Sequence, residues 1–259
     1  MAGSRFELNN LNRVESNRIE PDWSAPDCVR AVSTTRAGGI SQPPYASLNL
    51  GDHVGDQNDA VTANRKKLGE YLGLDDCPRW LNQVHGNVIV NAEEVVTPVS
   101  ADGAITSASR VVCVVMTADC LPVLLCDDTG AHIAAVHGGW RGLAGGVIEA
   151  AIAAFVARGV DPRNILCWLG PAIGPGAYEV GQEVCDALHG GQDKDALTGN
   201  SAGQWHLDLY ALARIRLRVC GVTQVFGGGY CTYTDSERFF SYRRDGVCGR
   251  QATLIWRQH

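Results

Sequence analysis

The sequence predicts a single domain of mixed α and β structure. Three observations carry that expectation. Short β-branched apolar runs alternate with helical stripes along the chain. The stretch 110–141 reads as strand, corner, strand, turn, strand and then a glycine-rich helix start. No repeat or linker-like shift of composition divides the 259 residues, a length that suits one large domain or two small ones.

Composition narrows the function classes. Apolar residues make up 45% and charged residues 19%, as in a compact globular protein. The net charge of −6 comes with no basic block, which argues against nucleic acid or an anionic membrane as partner. No run approaches the roughly 20 apolar residues of a membrane span. The start, MAGSRFELNNLNRVE, has no hydrophobic core of a signal peptide, and the expectation is a cytoplasmic protein. Ten cysteines are scattered without a CxxC pair, so they are expected to be reduced and mostly small core residues. Cys120 differs: it sits at a corner flanked by Thr117 and Asp119.

Taken in order, residues 1–30 are mixed and polar, with one short strand expected. Residues 31–35 form a strand that runs into Arg36-Ala37-Gly38-Gly39-Ile40-Ser41. That loop offers amides and a guanidinium together, which suits an anion; an ordinary turn is the equal alternative. Asp56 is placed to cap a helix over 57–71, with Val61, Asn64, Leu68, Tyr71 and Leu72 near one face. His85 falls at a glycine break between two short strand pieces, 80–86 and 87–90. Runs 111–115, 122–126 and 131–136 are strands, the last two joined by the turn-forming Asp127-Asp128-Thr129-Gly130. A helix over 145–158 follows Gly138-Gly139-Trp140-Arg141-Gly142. A strand at 165–169, a helix at 179–188 and an exposed loop at 190–203 come next. Asp208 caps a helix that ends near Cys220, and strands at 222–226 and 252–256 complete the pattern.

The hairpin carries the first chemical inference. If Cys126 faces Ala131 across its turn, Cys120 falls opposite His137, with Cβ atoms about 4.5–5.5 Å apart. A thiolate and an imidazole so placed can share one zinc ion or act as nucleophile and base. A one-residue slip would send the two side chains to opposite faces. His85, from a separate segment, is either a loop histidine satisfied by backbone or a third ligand, which would leave one position open.

Several separated motifs resemble one bacterial family. They are TTRAGGIS at 34–41, NLGDHVGD at 49–56, NQVHG around His85, TADCLPVLL around Cys120, AAVHGGWRGL around His137, LGPAIGPGAYEVG at 169–181 and FFSYRRDG at 239–246. The family is the YfiH-like group, labelled both laccase-domain (polyphenol oxidase) and purine nucleoside phosphorylase. The resemblance covers nearly all of the chain after residue 30. It implies an α+β fold with mixed β-sheets sandwiched between α-helices. It also implies zinc held by His85, Cys120 and His137, phosphorolysis of adenosine, guanosine, inosine and methylthioadenosine, and adenosine deamination.

Two tasks then share one site. Arg36 with Gly38 and Gly39, and Arg243 or Arg244, are the expected holders of phosphate. Asp119 serves as a proton carrier or as a cap for the corner. Gln83 and Asn49 are the expected contacts to base or ribose. Copper is the alternative metal, because a Cys/His site binds it strongly. A multicopper centre fits poorly with seven histidines and no His-x-His. A metal-free hydrolase using Cys120 and His137, and a non-enzymatic interaction protein, are the rival classes.

Overall fold

The computed structural model describes residues 18–258 apart from 189, 191 and 200–202. Most of the polar segment expected at 1–30 and part of the loop expected at 190–203 therefore lie outside the described residues. In chain order, the first elements are β1 (Arg18–Ile19), β2 (Val29–Thr34), α1 (Asn58–Leu72), β3 (Ile89–Asn91), β4 (Gly103–Thr106) and β5 (Cys113–Thr117). Next come β6 (Leu121–Asp127), β7 (Ile133–Gly138), α2 (Trp140–Ala144), α3 (Val147–Val156), β8 (Ile165–Leu169) and β9 (Glu179–Val180). The chain ends with α4 (Gln182–Ala187), β10 (Leu197–Gly199), β11 (Trp205–Leu207), α5 (Leu209–Val219), β12 (Gln224–Gly227), α6 (Tyr242–Asp245) and β13 (Gln251–Arg257).

The layers follow from which face each strand residue presents. A six-stranded mixed sheet runs β12-β8-β6-β7-β4-β3. Leu121, Val123 and Leu125 of β6 and Ala134 and Val136 of β7 face α3 and α5, packing on Ile148, Phe155, Leu212 and Leu217. The alternating residues Leu124, Cys126, Ile133, Ala135 and Trp168 face the other way. They meet Cys113, Val115 and Ile255 of a four-stranded sheet ordered β1-β2-β13-β5. That sheet's outer face, Val32, Val114 and Leu254, is covered by Leu68 of α1. The stack is α/β/β/α, with both sheets between helices. The central strands are buried on both faces, which is why they read as continuous apolar runs. A small third sheet, β10-β11-β9, lies apart from the stack order.

Several local expectations are corrected. Asp56 does not cap α1: Gln57 holds the N-cap position without a side-chain bond, while Asp56 Oδ2 receives Ser41 Oγ and Asn49 Nδ2. The helix expected over 145–158 is α3, and a further short helix, α2, precedes it; Gly146, left-handed at φ +87°, separates the two. The helix expected from 179 begins as β9, which pairs with β11. Part of the expected loop at 190–203 is β10. Arg243 and Arg244 lie on the short helix α6.

The hairpin register is also corrected. Cys126 pairs with Ile133 and Pro122 with His137, a shift of two residues from the expected pairing. Asp127 causes it by organising a longer loop. Its carboxylate accepts from the amides of Thr129, Ala131 and His132, and Gly130 turns left-handed. A shift of two preserves the face, so Cys120 and His137 still point to the same side.

Candidate metal centre

Cys120 sits where the chain changes sheets. β5 belongs to the four-stranded sheet and β6 to the six-stranded one, so residues 118–120 must turn sharply between layers. Asp119 makes the turn at φ +97°, a conformation costly for a residue with a Cβ. Its carboxylate is the staple that holds it. Oδ1 accepts from Thr232 Oγ1 at 2.6 Å and Oδ2 from the Arg243 amide at 2.7 Å. The carboxylate anchors the corner and so aims the neighbouring thiol.

His137 is the penultimate residue of β7, buried, and His85 lies on an exposed loop at φ +60°. One residue positions both. Buried Asp102, just before β4, accepts His137 Nδ1 at 2.8 Å and the His85 amide at 2.9 Å on Oδ1. On Oδ2 it accepts the amides of Gly86 at 2.6 Å and Val84 at 3.2 Å. This fixes the His137 tautomer and leaves Nε2 free to bind a cation. Burial disfavours the Asp102 carboxylate, but His137 and the amides outweigh it and hold the carboxyl below its usual range.

The ligand atoms of His85, Cys120 and His137 lie within 4.8 Å of one another. Cys120 Sγ is 3.8 Å from His85 Nε2, and the two imidazole rings meet edge to face at 4.8 Å. Among the described residues this is the one group of three or more His, Cys, Asp or Glu so gathered. Burial opposes ionisation of Cys120, yet the facing His137 and His85 bring the thiol down to about 6. Burial likewise opposes charge on His137, but the Cys120 thiolate and Asp102 raise it to about 9. Glycines allow this approach: a Cβ on Gly139 would stand 2.8 Å from His85 Cδ2 and 3.3 Å from Cys120 Sγ. On Gly142 it would stand 2.9 Å from the Gly86 carbonyl.

The other expected binding residues divide. Arg36 donates Nε to Ala46 O and Nη1 to Ser236 O, and stacks on Phe240. In its loop, the amides of Ala37, Gly39 and Ile40 are spent on Thr35, Ser47 and Asn64. Gly38 supplies a left-handed turn, and Gly39 packs so closely that a Cβ would meet Ser47 O at 2.2 Å. The loop is a packed turn rather than an open anion nest. Buried Asn49 joins Gly51, Asp56 and Arg250. Gln83 zips onto β5 through both Met116 backbone groups. All five N–H groups of Arg244 are engaged, with Thr232 O, Tyr233 O, Phe239 O and Asp245. Arg243 alone of this set stays at an exposed edge beside the corner, its guanidinium 5.1 Å from the Tyr178 ring. Sequence reasoning missed Asp102. Its signal was the Asp-Gly step before a buried strand, too common to single out.

The fold is a layered α+β one, and its triad gathers one thiol and two imidazoles that could hold a single metal ion. The chain belongs to the family described as multi-copper polyphenol oxidoreductase laccase, whose model matches residues 30–258. It is 49% identical over 244 residues to a purine nucleoside phosphorylase of Pseudomonas aeruginosa, covering 93% of this chain and 98% of that protein. It is 49% identical over 243 residues to the purine nucleoside phosphorylase YfiH of Escherichia coli, covering 93% and 99%. A crystal structure of a Neisseria meningitidis protein superposes with TM-score 0.89 at 48% identity, over 94% of this chain and 100% of that one. YlmD from Geobacillus stearothermophilus superposes with TM-score 0.84 at 34% identity, over 90% and 93%.

Proposed function

We propose that this chain is a zinc-dependent purine nucleoside phosphorylase. In this reading it cleaves adenosine, guanosine, inosine and methylthioadenosine with phosphate to base and ribose 1-phosphate, and deaminates adenosine at the same site. One observation carries the reading: the convergence of His85, Cys120 and His137 in a chain whose near relatives are named purine nucleoside phosphorylases. The donor set fits zinc. A tetrahedral zinc sets thiolate and imidazole donors ~3.6 Å apart, and the Cys120–His85 separation is 3.8 Å. A zinc ion held there would supply a Lewis acid and an activated water.

The chain's own residues do the rest. Asp102 orients His137 and ties down the His85 loop. Asp119 keeps Cys120 at its corner, the second of the two roles expected for it, a reading supported by the bond that each carboxylate oxygen accepts. Arg243 stands beside that corner as a phosphate contact. No helix among the described residues is long and apolar enough to cross a membrane. All ten cysteines are free, which supports a reducing, cytoplasmic setting.

The test joins metal content to products. Cys120→Ala is expected to lose zinc and nucleoside cleavage together; retention of both would refute the reading. Adenosine with and without phosphate separates the chemistries: adenine plus ribose 1-phosphate reports phosphorolysis, and inosine reports deamination. A second reading, a single-copper phenol oxidoreductase, is favoured by the family description. Phenol oxidation by copper-loaded protein, with neither purine product formed, would support it. A metal-free Cys120/His137 hydrolase is the third, and activity that survives chelation would favour it.

A further inference from the structure

Arg141 was not among the residues expected to bind anything, yet its surroundings set it apart. It lies on α2, two residues past Gly139, the glycine that packs against His85 and Cys120. Its guanidinium is exposed, stacks on Trp140 at 4.3 Å, and makes no hydrogen bond or ion pair among the described residues. Arg244 and Arg36, by contrast, are tied into the fold.

Arg243 approaches from α6. Its amide binds Asp119, and Nη1 donates to Glu179 O at 2.6 Å, which fixes where the guanidinium sits over Tyr178. The half-buried Tyr178 ring links the two sides. Its phenol feels the charges of Cys120, Arg243, Asp119 and Arg141 together, so both arginines share with the thiolate the surroundings of one ring. Burial comes first among the influences that raise this phenol, which leaves it a neutral hydroxyl. Asp119, the carboxylate nearest the corner, has both oxygens engaged.

We infer that Arg141 and Arg243 form a two-armed clamp for a tetrahedral oxyanion beside the His85–Cys120–His137 triad, with Tyr178 as the rigid surface at its base. Guanidinium groups suit this ligand because their planar N–H pairs match the oxygens of phosphate. Stacking on Trp140 and Tyr178 limits the freedom each arm loses on binding. The identity of the anion as orthophosphate rests on the phosphorolytic reading; the clamp does not.

The experiment uses zinc-loaded wild type, Arg141→Gln, Arg243→Gln and a distant control, Arg163→Gln. Arg163 is a surface residue paired with Asp161. Calorimetric titrations with orthophosphate and, separately, with adenosine 5′-monophosphate distinguish a free anion from an esterified one. Zinc content and adenosine phosphorolysis are measured on the same samples. Each clamp substitution is expected to weaken orthophosphate binding about tenfold or more, the cost of one charged hydrogen-bonding arm. Zinc content should hold, and the control should match wild type. Weakening confined to the nucleotide arm supports the clamp but overturns orthophosphate as its ligand. Weakened phosphate binding in a protein that forms no ribose 1-phosphate supports the clamp and overturns the phosphorylase reading. Phosphorolysis by wild type that is unchanged in Arg141→Gln overturns the clamp and leaves that reading standing. A wild type that binds neither anion overturns the clamp as well.

Discussion

Asp102→Asn tests the idea that one buried carboxylate assembles the site. The substitution keeps shape but turns one oxygen into an NH2 donor. Asp102 accepts four bonds, two on each oxygen. With the amide oxygen at Oδ1, the NH2 faces the Gly86 and Val84 amides. With the amide flipped, it faces the His85 amide and His137 Nδ1. His137 can answer only by moving its proton to Nε2, where a metal must bind. Each stranded buried donor costs about 1–3 kcal/mol, so a loss of about 2–4 kcal/mol in stability is expected. Zinc affinity should fall about 10–100-fold, which is about 1.4–2.7 kcal/mol. Urea denaturation of the apo-protein measures the first quantity, and competition with a chromophoric chelator measures the second. A stability change under about 0.5 kcal/mol, the range of an uninvolved surface position, with zinc affinity unaltered, would refute the reasoning.

Two more outcomes follow from the same geometry. Burial opposes ionisation of Cys120, but His137 lowers it to about 6; burial opposes charge on His137, but Cys120 and Asp102 raise it to about 9. At neutral pH the apo site therefore holds a thiolate and a protonated His137. Zinc must displace that proton, so affinity should rise with pH, about tenfold per unit, from neutrality until His137 deprotonates near 9. Chelator competition across this window checks it, and a flat profile contradicts it. Arg244→Ala should lower stability by about 2–4 kcal/mol, because three carbonyls and Asp245 lose a charged donor. Its phosphate dependence should shift less than that of Arg243→Gln, measured as the phosphate KM. A larger shift for Arg244→Ala would return it to the binding site.

Much of the core was legible because burial on both faces leaves its mark on composition. The runs that became β6, β7 and β8 are continuously apolar, and α1 and α5 carry clear helical stripes. The short pieces were harder. β9, β10 and the α2–α3 break depend on pairing partners and on one glycine's φ, neither of which local propensity records. The hairpin shows how the site was both found and misplaced. A shorter loop was expected, and the Asp127 carboxylate builds a longer one, yet a shift of two leaves Cys120 and His137 on one side.

By itself, then, the sequence determined the residue types of the site, the strand that carries His137 and the strand that follows the Cys120 corner. It could not show which polar side chains were already occupied. Arg36, Arg244, Gln83 and Asn49 looked as available as Arg243, until folding brought carbonyls and amides from distant segments against them. Asp102 gained its importance the same way, from histidines 17 and 35 residues away along the chain. Hydrogen-bond partners of this kind are fixed by the packing of layers, and only the tertiary structure decides which charges remain free for a ligand.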